Sequence, residues 1–389
     1  MPTRPSIDVD SIISRRSRGV DASGIRRVFD LGAKLKDPFN FSIGQPDFPV
    51  PDPIKQAAID AIRGDRNGYT VTQGTPDLLQ RISAHLRQDV GWETPSTELG
   101  LLVTSGTSGA IFLALMALLD PGDEVVIPDP WFVIYPHGAR MIGAKPVLCD
   151  TYPDGRMTAE RIEPHLTPRT KVVIVDSPAN PTGVVLTSAE LRDIVDLCER
   201  RNLLLIADEI YDIFTYDDAL DEGRCPSVAR FSDRVLLVRG FGKTYGCTGW
   251  RLGYAAGPKR LIEEMAKLQQ YTYVCAPSMA QAGAAAAFDL DMSEHVRAYQ
   301  RKRDMVLTTL GDAAGIIHPG GAFYCFVEVP LRLGISATEF VNRTIERNVL
   351  IIPGGVFSSR DTHFRLSYAT SDVKLEGGLA ILRQLLLGR

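Results

Sequence analysis

One lysine stands just beyond a short apolar run that has the composition of a buried strand. The run covers residues 235–238, and Lys243 follows it between Gly242 and Thr244. A lysine at the end of a core strand is costly to desolvate unless its amine has a partner, and small neighbours let a ligand approach closely. An arbitrary lysine in a loop lies at the surface, but this setting is typical of a nucleophilic amine. The spacing therefore predicts that Lys243 is a reactive group.

Two further apolar runs also end in polar residues. Residues 171–175 lead into a turn that contains Asn180, and residues 203–207 lead into Asp208 and Tyr211. The segment between these runs carries a capping box and apolar residues at helical spacing, so it predicts a helix. Strand–helix–strand units place the carboxyl ends of parallel strands at one edge of a sheet, where ligands bind. The polar residues expected to meet at that edge are Asn180, Asp208, Tyr211 and Lys243.

An earlier turn has the composition of an anion site. Residues 105–109 are a run of Ser, Gly and Thr between a strand-like segment at 101–104 and a predicted helix at 110–119. Backbone N–H groups at a helix start, together with small hydroxyl side chains, bind phosphate well. The same composition is common in ordinary capped helix starts. Taken alone, the turn therefore predicts either a phosphate site or a plain helix cap.

The composition is that of a globular chain that binds a small molecule. The chain has 389 residues, a formal net charge of −4 and six cysteines that stand singly. So small a charge provides no field for nucleic acid or an anionic membrane. The cysteines form no CxxC pair or Cys/His cluster, which argues against a metal site and for a reduced, cytoplasmic setting. The sequence shows no apolar stretch long enough to span a bilayer and no signal-peptide core.

Five short motifs occur in order along the chain. They are Ala-Asn-Pro-Thr-Gly at 179–183, Asp-Glu-Ile-Tyr at 208–211, Gly-Lys-Thr-Tyr at 242–245, Gly-Trp-Arg-Leu-Gly-Tyr at 249–254 and Phe-Arg-Leu-Ser-Tyr at 364–368. Each motif alone would be a weak signal. Together they resemble the class I aminotransferases, pyridoxal-phosphate enzymes of fold type I similar to aspartate aminotransferase, and the resemblance covers residues 41–369.

The resemblance implies an α/β fold of two domains. A large cofactor-binding domain of residues 51–290 would carry a mainly parallel seven-stranded sheet. A smaller α/β domain would combine residues 16–50 with 291–389, after an N-terminal arm of residues 1–15. The resemblance also implies cis peptide bonds before Pro130 and Pro181.

The resemblance gives roles to the residues at the predicted sheet edge. Lys243 would bond covalently to the aldehyde of pyridoxal 5′-phosphate and later move a proton at the substrate Cα. Asp208 would pair with the pyridine nitrogen, and Tyr211 and Asn180 would hydrogen-bond the phenolic oxygen. Taken singly, Asp208 could instead be a salt-bridged aspartate, Tyr211 a core aromatic and Asn180 a turn residue. The expected catalytic residues are Lys243, Asp208 and Tyr211.

Two arginines would bind the anionic groups. Arg251 would bind the cofactor phosphate, because its planar fork offers two parallel donors, and Arg365 would bind the substrate α-carboxylate in the same way. Gly44 and Asn180 would also lie against the substrate. The phosphate partners expected beside Arg251 are Gly106, Thr107 and Ser108.

Two aromatic residues complete the expected site. Phe132 matches the aromatic that stacks on the cofactor ring, and its neighbour Trp131 is the alternative. Tyr69 matches the tyrosine that reaches the phosphate of a neighbouring subunit. The resemblance therefore implies a homodimer with shared active sites, most simply with two-fold symmetry.

The implied activity is transamination in amino acid metabolism. An amino acid would give its nitrogen to the cofactor and leave as a 2-oxo acid, and a second 2-oxo acid, with 2-oxoglutarate expected, would take the nitrogen in a ping-pong mechanism. Aspartate, an aromatic amino acid or alanine remain open as donors. A carbon–sulfur β-lyase or a decarboxylase would share most of these residues. A non-catalytic regulator that binds the cofactor would need a DNA-reading module, for which the residues before Phe41 leave no room.

Overall fold

A seven-stranded sheet forms the centre of the molecule. The computed structural model describes residues 7–22, 24, 28, 32 and 35–389. Every neighbouring pair in this sheet is parallel except the two pairs that involve β8, which runs against the strands on either side. The strands, in spatial order, are β2 (Leu99–Thr104), β8 (Gly253–Pro258), β7 (Leu236–Gly240), β6 (Leu204–Asp208), β5 (Thr170–Asp176), β3 (Glu124–Asp129) and β4 (Lys145–Asp150).

Both faces of this sheet are covered. Alternate residues of one strand belong to different hydrophobic clusters, as Val172 and Val173 of β5 illustrate. Successive side chains of a strand point to opposite faces, and strands buried on both faces read as continuous apolar runs. This is why the runs at 171–175, 203–207 and 235–238 predict strands well. The mainly parallel seven-stranded sheet is confirmed.

Helices connect and cover the strands. The helix Ser188–Arg200 begins with the capping box of Thr187 and Glu190, as the sequence predicts. The helix expected at 110–119 instead begins at Gly106. Small residues form its first turn, so the apolar pattern starts one turn late. The helices up to the end of the sheet are α1 (Val9–Ile12), α2 (Arg15–Arg18), α3 (Asp52–Arg63), α4 (Pro76–Val90), α5 (Gly106–Leu118), α6 (Ile134–Ile142), α7 (Ala159–Ile162), α8 (Ser188–Arg200), α9 (Lys259–Gln270) and α10 (Ser278–Ala285).

A second, antiparallel sheet lies in the C-terminal part of the chain. Its strands follow the order β12 (Ile352–Pro353), β13 (His363–Ser367), β10 (Tyr324–Glu328) and β9 (Ile316–Ile317). A short parallel pair joins β1 (Phe39–Asn40) to β11 (Val349–Leu350). A separate hydrophobic cluster, with Phe340, Leu366 and Leu379 among its members, packs this sheet against its helices. These helices are α11 (Ser293–Leu310), α12 (Ala337–Glu346) and α13 (Asp372–Leu386).

None of the helices described is long and apolar enough to cross a membrane. Within the same residues, no group of three or more His, Cys, Asp and Glu side chains is placed to hold a metal ion.

Candidate active site

A pocket of about 260 Å³ opens where the parallel strands of the large sheet end. Strands β5, β6 and β7 finish at this edge, so the turns that follow them supply much of its wall. Eleven of the twelve residues predicted for the site line it, and they come from seven separate stretches of sequence. These eleven are Gly44, Gly106, Thr107, Ser108, Phe132, Asn180, Asp208, Tyr211, Lys243, Arg251 and Arg365.

Tyr69 is the predicted residue that lies elsewhere. Its side chain is 89% exposed and borders a different surface pocket, together with Arg66 and Gln80. The expectation for Tyr69 concerns a neighbouring subunit, so its position within one chain does not decide that role.

Lys243 lies inside the pocket. Its Nζ donates a hydrogen bond to the backbone oxygen of Gly44. Burial, followed by the positive charges of Arg365 and Arg251, lowers the pKa of the Lys243 amine to about 8. A pKa in this range leaves a substantial fraction of the amine neutral at physiological pH, which is the form that attacks a carbonyl carbon.

Asp208 ends β6 and is only 2% exposed. The hydroxyl of Tyr135 donates to its Oδ2 at 3.0 Å, and the backbone N–H of Ile210 donates to its Oδ1 at 3.3 Å. Burial raises the pKa of Asp208 to about 6, although both hydrogen bonds and the charge of Lys243 act in the opposite direction. A carboxylate held this way suits a partner that brings a positive charge or an N–H donor.

Arg365 is buried between two aromatic rings. Its guanidinium carbon lies 4.6 Å from the ring centre of Tyr324 and 4.7 Å from that of Phe357. The guanidinium donates to Asn180 Oδ1 at 3.1 Å and to the backbone oxygen of Ser42 at 2.8 Å. Its Nε has no hydrogen-bond partner among the described residues. Since unpaired buried donors are costly, this Nε points to an anionic ligand.

Tyr211 lies beside Arg365 and shares a hydrogen bond with Tyr324. The two hydroxyl oxygens are 2.9 Å apart, and the two rings meet edge-on. Burial, followed by the neighbouring Tyr324, raises the pKa of the Tyr211 hydroxyl. Tyr211 is therefore a neutral hydroxyl that can donate to a ligand oxygen.

The other end of the pocket is a close-fitting cradle for an anion. Gly106 has a left-handed φ of 73°, and a Cβ at this position would lie 2.6 Å from Arg251 Nη2. Arg251 is itself left-handed, with φ 53°, and donates to the backbone oxygen of Thr248 at 3.1 Å. The first turn of α5 adds free N–H groups, as helix starts do. The cradle thus combines a guanidinium with backbone donors.

Of the two aromatic candidates for stacking on the cofactor ring, only Phe132 lines the pocket. Phe132 lines the pocket and meets Tyr135 edge-on at 5.8 Å. Trp131 lines an adjoining groove, and its backbone N–H donates to Phe357 O at 2.7 Å. The peptide bonds before Pro130 and Pro181 are both cis, as the resemblance implied.

Several residues that line the pocket were missed by the sequence analysis. Asp176 ends a strand that was recognised, so the rule that selected Asp208 also fitted Asp176. Tyr135 lies in the first turn of α6, and Tyr324 comes from the other sheet, so neither could be identified from the spacing of apolar runs and polar residues. The missed residues are Tyr135, Asp176, Pro178, Ile210, Gly242, Thr248, Leu252 and Tyr324.

Comparison with known proteins agrees with this geometry. The family model described as "Aminotransferase class I and II" matches residues 36–382. The putative aminotransferase YugH of Bacillus subtilis is 34% identical over 97% of this chain and 98% of its own length. The aspartate aminotransferase of Thermus thermophilus, solved with maleate, has a TM-score of 0.88 at 31% identity, with 96% of this chain and 99% of that chain covered.

A third relative widens the range of substrates named. The aromatic aminotransferase of Pyrococcus horikoshii superposes with a TM-score of 0.86 at 33% identity, covering 94% of this chain and 99% of that chain. The chain belongs to the class I and II aminotransferases and has their fold type I architecture. Within that family it is a transaminase similar to aspartate aminotransferase, as the five motifs indicated.

Proposed function

We propose that this transaminase uses pyridoxal 5′-phosphate to move the amino group of an amino acid to a 2-oxo acid. We infer that aspartate or an aromatic amino acid is the donor and 2-oxoglutarate the acceptor, because similar proteins carry these donors in their names. The observation that carries the proposal is that Lys243 lines the same pocket as Arg365 and as the cradle of Gly106 and Arg251.

The pocket residues fit the proposed cofactor in size and chemistry. When bound, pyridoxal 5′-phosphate supplies an aldehyde that bonds to primary amines and a ring that withdraws electrons from the substrate Cα. Arg251, the first turn of α5 and the hydroxyls of Thr107 and Ser108 would hold the phosphate. Asp208 would hold the ring nitrogen, Tyr211 and Asn180 the phenolic oxygen, and Phe132 one face of the ring.

The proton chemistry falls to Lys243. With a pKa of about 8, its amine accepts and returns a proton near neutral pH without a large energetic penalty. Its hydrogen bond to the backbone oxygen of Gly44 holds the amine in the pocket that Arg365 also lines. Lys243 can therefore remove the proton from a substrate Cα and return it elsewhere on the same face.

Arg365 positions the substrate. Two of its nitrogens are engaged with Asn180 and Ser42, and the flanking rings of Tyr324 and Phe357 prevent the guanidinium from tilting. The unpaired Nε is available to a carboxylate. Because every amino acid and every 2-oxo acid carries that carboxylate, one pocket can serve both halves of a ping-pong reaction.

We also propose a homodimer with shared active sites. Tyr69, Val71 and Tyr271 are exposed by 89%, 63% and 86%, and a hydrogen bond from Gln269 to Thr72 brings their segments together. Contiguous exposed apolar side chains mark interaction sites. A second copy would cover them and bring its Tyr69 to the phosphate cradle. Tyr69 then contributes to cofactor binding only in the dimer.

The direct test of the proposed function is Lys243→Ala. Wild-type protein incubated with pyridoxal 5′-phosphate and reduced with borohydride should gain the mass of one cofactor per chain, on the peptide containing Lys243. Lys243→Ala should gain none there and lose transamination by several orders of magnitude, because both the covalent site and the proton carrier are gone. Lys171→Ala, at the exposed end of β5, is the matched control.

The reaction type is tested by a half-reaction screen. Each amino acid is added to the loaded enzyme, and the change in cofactor absorbance is followed with no 2-oxo acid present. Aspartate or aromatic amino acids should convert the cofactor fastest, and 2-oxoglutarate should reverse the change. Release of pyruvate and ammonia from cystathionine with no acceptor would contradict transamination and indicate a β-lyase.

A further inference from the structure

Two carboxylates stand side by side in the pocket. Asp176 ends β5 and Asp208 ends β6, and the two residues are register partners on neighbouring parallel strands. Register partners project their side chains to the same face, across a strand spacing of about 4.8 Å. Both residues line the pocket. The site therefore holds a pair of carboxylates where the roles given above use one.

The two carboxylates have unequal hydrogen-bond partners. Asp208 receives donors on both oxygens, from the Tyr135 hydroxyl and from the backbone of Ile210. Within the described part of the chain, the Asp176 side chain accepts from one other residue, the backbone N–H of Asn180, at 3.2 Å. Donors stabilise the ionised form of a carboxylate. The environment thus favours the charge on Asp208.

The other charged and titratable groups around Asp176 do not change this preference for a negative charge on Asp208 over Asp176. The charge of Lys243 acts on Asp208 and lowers its pKa. On the opposite side, Asp129 ends β3, and its carboxylate already accepts from the hydroxyls of Ser358 and Ser359. The Tyr135 hydroxyl donates to Asp208 and remains neutral, since burial raises its pKa.

Two carboxylates on neighbouring strands, one buried and the other half-buried, favour sharing one proton over ionising together. We propose that Asp176 keeps this proton at neutral pH while Asp208 carries the charge, so that the pair has one negative charge and Asp176 offers an O–H donor to the ligand. This inference rests on the proposed function in that the ligand is the cofactor ring. Burial and the charge of Asp208 also raise the pKa of Asp176 well above its ordinary value.

The arrangement has a consequence for the cofactor. A ring nitrogen that carries one proton brings one positive charge, and a pair with one negative charge neutralises it. Two ionised carboxylates would leave an excess charge in a buried site, at a high desolvation cost. Asp176 is thus proposed as a further residue that contacts the cofactor, at the edge of the ring beside its nitrogen.

The protonated carboxyl is tested by infrared spectroscopy of the cofactor-free protein. At pH 7 the wild type should show the carbonyl band of a protonated carboxylic acid, and Asp176→Asn, which keeps size and polarity, should lack one such band. Asp193→Asn, on the exposed side of α8, removes a carboxylate outside the pocket and should leave the band in place. No acid band in the wild type at pH 7, or a band unchanged in Asp176→Asn, would overturn the proposal.

A second variant covers the case in which Asp176→Asn does not fold. Asp208→Asn removes the neighbouring charge, so the acid band of Asp176 should disappear at a lower pH than in the wild type. An unchanged midpoint would contradict the shared proton. Because no cofactor is present in either measurement, failure of pyridoxal 5′-phosphate to bind would refute the proposed function and leave this result intact.

The donor role has its own measurement. Asp176→Asn keeps a donor and Asp176→Ala does not, so the alanine variant should bind pyridoxal 5′-phosphate about fivefold more weakly than the asparagine variant, as expected for one neutral hydrogen bond. Fluorescence titration gives both dissociation constants. Equal affinities would remove the proposed contact between Asp176 and the cofactor.

Discussion

The amine of Lys243 is half-buried, and two neighbouring arginines destabilise its positive charge. The same residue was selected from sequence because an apolar run ends just before it. Its lowered pKa depends on the burial of the amine and on the charges of Arg365 and Arg251, which the sequence alone does not show. The residue type was predictable, and its pKa was not.

The lowered pKa predicts the pH dependence of Lys243 reactivity. At pH 8 about half of the Lys243 amines should be neutral, whereas an ordinary lysine reaches that point only above pH 10. Cofactor-free protein treated with glyoxylate and borohydride should therefore show Lys243 labelling that rises through pH 8 and then levels off. Peptide mass spectrometry measures this, with the exposed Lys259 as internal reference. Parallel profiles for both lysines would contradict the lowered pKa.

Replacing Arg365 by lysine should damage substrate binding selectively. Lysine cannot keep the contacts to Asn180 and Ser42 while also offering a planar pair of donors to a carboxylate. We expect KM to rise by about 10- to 100-fold for amino acid and 2-oxo acid alike, for a loss of roughly 1.5–3 kcal/mol per charged hydrogen bond. Steady-state kinetics check this, and Arg343→Lys on the exposed face of α12 is the control. An effect on only one of the two substrates would argue against a shared carboxylate site.

The sequence predicted the site best where a polar residue ends an apolar run or lies in the turn that follows it. Asp208, Asn180 and Lys243 fit that rule. Tyr324 escaped it because its strand belongs to a different sheet, and its contact with Tyr211 depends on how the two sheets pack. Such contacts carry no local signal, since the two residues are distant in sequence.

At the scale of elements, the start of α5 determines the anion cradle. The helix begins at Gly106, four residues before the predicted start, so the Gly-Thr-Ser turn lies inside the helix and contributes its N–H groups. Polar residues in a first turn hide a helix start from the apolar period. The sequence left open whether this turn is a phosphate site or a plain helix cap. The guanidinium of Arg251 lies against the turn and favours the phosphate site.

Gly106→Ala tests the cradle. The added Cβ would displace Arg251 and would also strain a left-handed residue by roughly 1–2 kcal/mol. We expect weaker binding of pyridoxal 5′-phosphate, measured by fluorescence titration, together with a lower melting temperature. Gly91→Ala separates the two effects, because Gly91 is left-handed with φ 79° but has no atom near its added Cβ. Weakened binding in Gly91→Ala as well would assign the loss to general instability.

At the scale of the whole molecule, the two sheets support a division into domains, and one hydrophobic cluster contains residues of both sheets. Residues 51–290 as one domain, and 16–50 with 291–389 as the other, stay a prediction, as does the N-terminal arm of residues 1–15, of which residues 1–6 lie outside the described part. Arg365 belongs to the C-terminal sheet and Lys243 to the turn after β7, so the pocket is built from both sheets.

The shared dimer predicts complementation between two defective chains. Lys243→Ala lacks the amine, and Tyr69→Ala lacks the residue proposed to reach the partner's phosphate. In a mixed dimer, one pocket should contain both Lys243 and the partner copy's Tyr69. Dissociating, mixing and reassociating the two variants should therefore restore activity above that of either parent, with sedimentation to confirm dimers. Activity no greater than the mean of the parents would contradict a shared site.

The antiparallel strand β8 fixes the distance between two groups of the pocket, the Lys243 amine and the Arg251 guanidinium. Gly240 and Gly253 are paired at the ends of β7 and β8, so the intervening loop of residues 241–252 leaves and returns to the sheet at one point. Lys243 stands near one end of that loop and Arg251 near the other. Because both ends of the loop are anchored to the sheet, the distance between the Lys243 amine and the Arg251 guanidinium is held fixed. A cofactor analogue with one more methylene between carbonyl and phosphate should be rejected for its length, even though every group it carries is chemically correct.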